Sequence, residues 1–599
     1  MNEKEKKNTL EERQREVAVL STLAYTEYGD LQKKIISKRD IVGMMTKDPA
    51  MVAIQGMRIG RLEELTILTD SPFFSRMTGT FEGRDEREIF YIGKFGMADE
   101  HVYSWISPIA RLRFANIGPT SYETPLHESR SVVVFDRESY HIVHGKILFL
   151  SRSDQSRDKE LIHQEHFTRK KEGFMLPEIV AQMEQAQDIV IRLDHEGPMV
   201  ISGPAGSGKT TLALHRVAFL KQSPDTASLF AAKKGSIVFV QDGSTRDYFT
   251  HLLPSLGIHD VTIITYVDWA RDILLFSDTI AIVTHAGSNM QSRDRLAFAK
   301  NQADISSGLH YRLGDTPWGV LDSIYGSLDT GSMVLWERQK KDKVLDVADM
   351  TFLLQVVVQS GPLVQKQTRY VLRDGASPKK VTKEASLEYD LILVDEFENY
   401  TPSQLQVLTS TLSKKTNTIM FVGDMHQQTH MGTVQDWSDF GYAVPTERQI
   451  MLHKVYRNTQ SILRYIRSRG YDVDIPDQLA EGEGVIQEDV PKDQLPEYLM
   501  EYFSQETYEE GCVVGVVVFE DALRIHLAEW LRSFTCVRVV SVHEAQGVEF
   551  EHVIVLEESS SVDIHDTSIF GKEMEKVNRD RLYVALTRAM KTLRVIVLV

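Results

Sequence analysis

The chain has 599 residues, too many for one hydrophobic core, so three or four domains are expected. Its 42% hydrophobic and 26% charged residues are ordinary for a soluble globular protein, and a net charge of −17 argues against indiscriminate adhesion to nucleic acid while leaving room for a local basic groove. Two cysteines, Cys512 and Cys536, give no disulfide framework and suit a reducing, cytoplasmic setting. No apolar run approaches the roughly 20 residues of a membrane helix, so no membrane partner is expected, and the stretch Met1–Lys7 lacks the apolar core of a secretion signal.

Residues 9–45 have helical spacing. Thr9 and Glu12 form a capping-box pair, and Leu10, Val17, Leu20, Ala24, Leu31 and Ile35 recur along one side. Lys47-Asp48-Pro49 breaks the pattern. A second helix follows, with Met51, Ile54, Ile59, Leu62 and Leu65 as its apolar side, and ends near Asp70-Ser71-Pro72. Residues 1–72 therefore read as an antiparallel helical hairpin, either projecting as an arm or lying flat on the body. From 73 to 160 strand-sized runs dominate: Ile89–Gly93, Ser131–Phe135 and Ile147–Leu150. Residues 176–193 return to helical periodicity.

Pro198-Met199-Val200-Ile201 is a short apolar strand. Gly203-Pro204-Ala205-Gly206-Ser207-Gly208-Lys209-Thr210 follows and fits the phosphate-loop pattern GxxxxGK[ST] at every fixed position. Thr211 to Leu220 then reads as an amphipathic helix. Glycines let successive backbone amides converge on an anion, and the helix N-terminus adds partial positive charge. Lys209 is expected to reach the β- and γ-phosphates and Thr210 to ligate Mg²⁺. A glycine-rich turn without a ligand is the plainer alternative, and the lysine, the threonine and the strand–loop–helix context weigh against it.

Ser236–Val240, Leu391–Glu396 and Thr418–Asp424 are continuous apolar runs ending in polar residues. That is the pattern of buried parallel strands with a site at their C-terminal ends. The stretch 266–387 interrupts them. It is rich in helical segments and is expected to be an insertion, with Trp269, Trp318 and Trp336 in its core. A second strand set runs through Val513–Val518, Val537–Val542, Val553–Leu556 and Leu593–Val597. The histidines show no metal-ligand spacing, so no structural metal is expected.

Asp395-Glu396 closes an apolar strand. Alone, such a pair is usually a solvated strand end; downstream of a phosphate loop, the aspartate is expected to hold Mg²⁺ and the glutamate to act as general base. Gln427 follows the next strand and is placed to bond the γ-phosphate or the lytic water. Tyr456-Arg457 and Tyr583–Ala589, which contains Arg588, supply two arginines. Taken singly, either reads as a surface ion pair; in this order they read as groups that stabilise transition-state charge from a second domain.

As a set these segments, with His543–Phe550, resemble the motor of UvrD/Rep-type superfamily 1 helicases over about residues 185–595. The resemblance implies an α/β fold with two RecA-like parallel-sheet lobes: 161–265 with 388–445, and 446–599. Around them stand the helical hairpin arm (1–72), the small β-rich module (73–160) and the helical insertion (266–387). It implies an ATPase using ATP and Mg²⁺. Gln187 would recognise adenine, Tyr456 would stack on it, Arg457 and Arg588 would contact the γ-phosphate, and Glu549 would approach the ribose. The nucleotide set is then Gln187, Gly203 to Thr211, Tyr456 and Glu549, with Lys209, Glu396, Gln427, Arg457 and Arg588 catalytic and Thr210 and Asp395 on Mg²⁺.

Within that group the chain looks like the HelD branch, ATPases that bind and recycle bacterial RNA polymerase. Ser71–Met77, Tyr91–Lys94, Ser104–Ala110, Gln185–Arg192, Ala213–Arg216 and Leu253–Gly257 carry this likeness. It implies RNA polymerase as partner, entered at its secondary channel by the N-terminal hairpin. Departures are Glu398-Asn399 where Gln-Asp is usual, Gln546 where a lysine is usual, and a missing arginine after Trp105. They imply slow or partner-dependent hydrolysis. In the stretch Gln428–Trp437 only Trp437 remains as a possible stacker on single-stranded bases, and it reads as a core residue, while the interval between Arg457 and Val537 leaves no room for a large accessory domain. A DNA-translocating 3′–5′ helicase with single-stranded DNA as partner is therefore the second reading. A nucleotide-dependent binding switch with little turnover is the third.

Overall fold

Runs of β-branched residues that alternate with helices dictate the architecture. The computed structural model describes residues 3–35, 49–124, 128–152, 185–204, 206–231, 235–277, 279–283, 290–305, 308–371, 379–440, 442–452, 458–476, 479–506, 508, 512–546, 548–558 and 568–599. The chain divides into two units, Met1–Asp194 with Leu214–Ala231 and Thr250–His259, and His195–Ala213 with Ala232–Phe249 and Asp260–Val599.

The first unit opens with helices Glu3–Lys33 and Pro49–Asp70. An antiparallel-rich sheet follows, built from β1 (Ser75–Phe81), β2 (Glu88–Gly93), β3 (Val102–Ser104), β4 (Gly118–Glu123), β5 (Ser129–Val143) and β6 (Lys146–Arg152), in the order β3-β2-β1-β5-β4 with β6 on β5. Val17, Leu20 and Ala24 from one helix and Leu65 and Leu68 from the other share a core with Phe73, Phe95, Val102 and Tyr140. The first helix is also pinned to the sheet by charge. Arg13 Nε lies 2.8 Å from Glu138 Oε2, and Arg76 Nε lies 3.0 Å from Glu16 Oε2. The expected apolar sides are only partly covered, since Leu10, Ile54 and Ile59 are exposed.

Several segments that suggested the HelD branch meet inside this unit. Trp105 stands edge-on to His215 at 5.6 Å, and Arg192 donates to the carbonyls of Trp105 (2.7 Å) and Ile106 (3.0 Å). Buried Arg216 donates to the carbonyls of Val190, Ile191, Leu193 and Asp194 at the end of the helix Gln185–Arg192. A cation at a helix C-terminus satisfies carbonyls that have no partner within the helix.

The second unit holds two parallel sheets. β7 (Gly197–Ser202), β8 (Ser236–Val240), β9 (Val261–Thr265), β14 (Leu391–Asp395), β15 (Thr418–Gly423) and β16 (Gln449–Met451) are ordered β16-β7-β15-β14-β8-β9. Among the described residues between β9 and β14 come the helices Tyr266–Leu274, Met290–Asn301, Trp318–Tyr325, Thr330–Lys341 and Val347–Ser360. With them come the short parallel pair β10 (Ala281–Ile282) and β11 (Val344–Leu345), and a hairpin, β12 (Val364–Val371) with β13 (Lys379–Ser386). Trp269 and Trp336 are buried in one core with Phe239, Ile392 and Phe421, and half-buried Trp318 packs against it. The second sheet is β17 (Ile486–Val490), β18 (Val514–Val518), β19 (Val537–Ser541), β20 (Phe550–Glu558) and β21 (Ala589–Leu598), ordered β17-β21-β20-β18-β19. Every pairing in both sheets is parallel, which matches two RecA-like lobes. Among the described residues no helix is long and apolar enough to cross a membrane.

Candidate nucleotide site

β7 delivers the chain to the glycine loop. Gly203 has a φ of 150°, and a Cβ there would lie 2.3 Å from the carbonyl oxygen of Leu452, so only glycine passes. Gly206 and Gly208 also have positive φ, and the helix Lys209–Gln222 begins at the loop's last lysine. Its first-turn amides have no intrahelical acceptor and face an incoming anion. Lys209 Nζ donates to the loop carbonyls of Gly203 (2.7 Å) and Pro204 (3.1 Å). Ser207 is buried, and its hydroxyl finds no hydrogen-bond partner among the described residues.

β14 brings the acidic pair to this loop. Thr210 Oγ1 donates to Asp395 Oδ1 at 2.9 Å. Burial pushes the Asp395 carboxyl up to about 6 against the pull of Thr210 and Lys209. A hydroxyl and a buried carboxylate are hard oxygen donors, so the pair fits Mg²⁺. Glu396 is held at φ 49°, ψ 48°, a left-handed conformation uncommon for a residue with a side chain. Burial, then the charge of Asp395, pushes its carboxyl up to about 8, opposed by Arg588 and Lys209.

The next strand and the second sheet complete the cluster. β15 ends at Gly423, and Gln427 Nε2 donates to buried Asp424 Oδ2 at 2.7 Å. Arg588 caps the helix Ile569–Thr587 and leads into β21; its Nε donates to Val584 O (3.0 Å) and its Nη2 to Gln427 Oε1 (3.4 Å). Lys209, Thr210, Asp395, Glu396, Gln427 and Arg588 thus converge from both sheets.

Thr211, Glu549 and Gln187 are the other expected positions among the described residues. Thr211 is half-buried in the first turn after the loop, and Glu549 is half-buried immediately before β20. Gln187 is half-buried on the helix Gln185–Arg192 of the first unit. Ala205, Tyr456 and Arg457 lie outside the described residues.

A second tier of residues escaped motif reading. Asn399, the fifth position of the acidic box, accepts the amide of Thr429 at 3.1 Å. Thr429 Oγ1 lies 3.1 Å from Asn399 Oδ1 and 3.0 Å from Gln546 Oε1. The two unusual residues, Asn399 and Gln546, are therefore joined across the two sheets through one threonine. Arg581 donates to Thr429 O at 2.9 Å and makes a two-pronged ion pair with Asp294 at 2.9 and 2.8 Å. In the sequence only the departures from the family pattern at 399 and 546 hinted at this tier.

Two family profiles match. Residues 186–433 match one described as an AAA domain, and residues 373–597 match one described as a viral superfamily 1 RNA helicase core domain. No curated protein matches the chain. Domains of this kind generally use nucleotide and Mg²⁺. Across residues 186–597 the chain carries a superfamily 1 helicase-like P-loop domain.

Proposed function

We propose that this protein is an ATP-hydrolysing motor of the UvrD/Rep type, closest to the HelD branch, that binds and remodels or recycles bacterial RNA polymerase. The observation that carries the hydrolytic part is the approach of Arg588, from the second sheet, to the Lys209, Thr210, Asp395 and Glu396 cluster of the first. With ATP seated, Lys209 exchanges its loop carbonyls for phosphate oxygens. Thr210 and Asp395 are the residues that would hold Mg²⁺, which would supply charge neutralisation at the phosphates. Gln427 orients water, and Glu396 takes the proton as the water oxygen bonds to the γ-phosphorus and the bond to ADP breaks. Arg588, joined by Arg457, stabilises the charge that develops on the transferred group.

The polymerase part rests on resemblance in the first unit, supported by the exposed apolar residues Val19, Leu23 and Tyr25 on the first helix and Met57 on the second. A DNA-translocating helicase is disfavoured by Trp437, the candidate base-stacker of the stretch Gln428–Trp437, whose ring packs 4.8 Å from Phe397.

Three measurements test the reading. Lys209→Ala abolishes hydrolysis; retained activity would overturn the site. Arg588→Ala lowers kcat by about 10³-fold or more, as loss of an arginine finger does. Full-length protein co-purifies with RNA polymerase from the native host and loses that binding on deletion of residues 1–70; no polymerase in the eluate sinks the partner assignment while leaving the hydrolytic reading intact.

A further inference from the structure

The two cysteines carry no disulfide, and Cys512 sits among groups of a different chemistry. Buried Cys512 lies just before β18, at the edge of the second parallel sheet where β18 and β20 begin, and Val514 there pairs with His552. Ligand atoms of Cys512, Glu551 and His552 all lie within 4.8 Å of one another. Neighbours on a regular strand point to opposite faces, so Glu551 and His552 would normally diverge. Here the register of β20 against β21 shifts between Phe550 and His552. A bulge of this kind re-aims side chains, and this one brings both toward the thiol.

The surroundings suit a cation. One ring nitrogen of His552, Nδ1, lies 2.7 Å from Thr592 Oγ1 on β21, which orients the ring; in the tautomer with the proton on Nδ1, the other nitrogen is the lone-pair donor. One oxygen of Glu551 is 3.3 Å from Lys591 Nζ, and a carboxylate has a second oxygen able to ligate a metal. A thiolate, a carboxylate and a neutral imidazole together balance a dication.

We propose that Cys512, Glu551 and His552 form a binding site for a Zn²⁺-class divalent cation, with water in the fourth position, that ties together the starts of β18 and β20. A mixed sulfur, nitrogen and oxygen set is the ligand chemistry of Zn²⁺, whereas Mg²⁺ and Ca²⁺ require oxygen alone. No phosphate chemistry is assigned to this site, so it stands or falls independently of the nucleotide cleft.

The test uses full-length protein stripped with a chelator and then loaded with Zn²⁺ or Co²⁺. The expected result is one equivalent of zinc retained after desalting, a thiolate-to-cobalt charge-transfer band, and a melting temperature raised by zinc. Cys512→Ser loses the band and the thermal shift. Thr592→Val, which keeps all three ligands, weakens zinc about 10- to 100-fold. If Cys512→Ser fails to fold, as judged by circular dichroism, Thr592→Val still decides the matter. Failure of the wild type to retain zinc, a cobalt band unchanged in Cys512→Ser, or affinity unchanged in Thr592→Val would each overturn the site.

Discussion

Glu398 occupies a position that explains why its neighbour is glycine. Its side chain is buried, Oε2 finds no hydrogen-bond partner among the described residues, and a Cβ on Gly423 would lie 1.8 Å from that oxygen and 2.9 Å from the Phe397 ring. Burial, then the nearby Glu396 charge, raises its pKa well above the ordinary carboxylate value, which favours the neutral acid over the carboxylate. Gly423→Ala is expected to cost about 1–3 kcal/mol through overpacking. Glu398→Ala combined with it recovers part of that loss, since the clash is with Glu398 itself; strictly additive losses in urea denaturation would contradict the contact. Glu396 gives a pH prediction. Its carboxyl binds the proton more tightly folded (about 8) than unfolded (4.5), so its stabilising contribution is full below about pH 4.5 and is lost as pH rises toward 8; Asp395, raised to about 6, acts in the same direction. Without Mg²⁺ or nucleotide, the melting temperature therefore falls between about pH 5 and 8, and Glu396→Gln flattens that slope. A melting temperature that climbs through this window would contradict the burial of the pair. Hydrolysis runs the other way: it rises with pH as Glu396 loses its proton and becomes able to accept one.

The helix Met290–Asn301 joins the helices that lie between β9 and β14 to the helix Ile569–Thr587 that precedes β21. At its C-terminal end Lys300 is fully buried, bonded to Gln339 (2.8 Å), Asp346 (2.7 Å) and Asp349 (2.7 Å). Toward its start Asp294 grips Arg581, and Phe298 meets Phe570 edge-on at 5.2 Å, both on the helix Ile569–Thr587 that ends at Arg588. Asp294→Ala leaves the Arg581 charge buried and unpaired, so a loss of about 3–5 kcal/mol is expected. Replacing both partners by apolar residues of similar size is expected to cost less, because no bare charge remains; equal losses in the two variants would show that the pair acts through packing alone. The elements themselves were unevenly legible. Central strands such as β8, β14, β15 and β18 are buried along their whole length and show as unbroken apolar runs. The strands that escaped reading in the parallel sheets, β9, β16 and β17, are all edge strands with only one neighbour, so half-exposed or polar sequences such as Ile486-Gln487-Glu488-Asp489-Val490 suffice. The hairpin β12–β13 stayed hidden for a similar reason, since Gln365-Lys366-Gln367 and Lys379-Lys380 mask any apolar alternation.

Across the molecule, an acidic chain with a packed Trp437 is poorly equipped to track a polyanion. Hydrolysis at physiological salt is therefore expected not to be stimulated by single-stranded DNA in a coupled assay; strong stimulation would favour a translocase. The amino-acid sequence alone determined the phosphate loop, the acidic pair and the two sets of parallel strands. Each depends on local causes: glycine's freedom at positive φ, a lysine and threonine at a helix start, and continuous burial of successive residues. It also singled out the segments Ser104–Ala110 and Ala213–Arg216, by resemblance alone and without linking them. The tertiary structure alone decided that Arg588 bonds Gln427, that Thr429 bridges Asn399 and Gln546, and that Glu551 and His552 both turn toward Cys512. Those contacts join residues far apart in the chain, and they are set by strand register, a bulge and the packing of one sheet's helix against the other's loops, none of which leaves a periodic trace in the sequence.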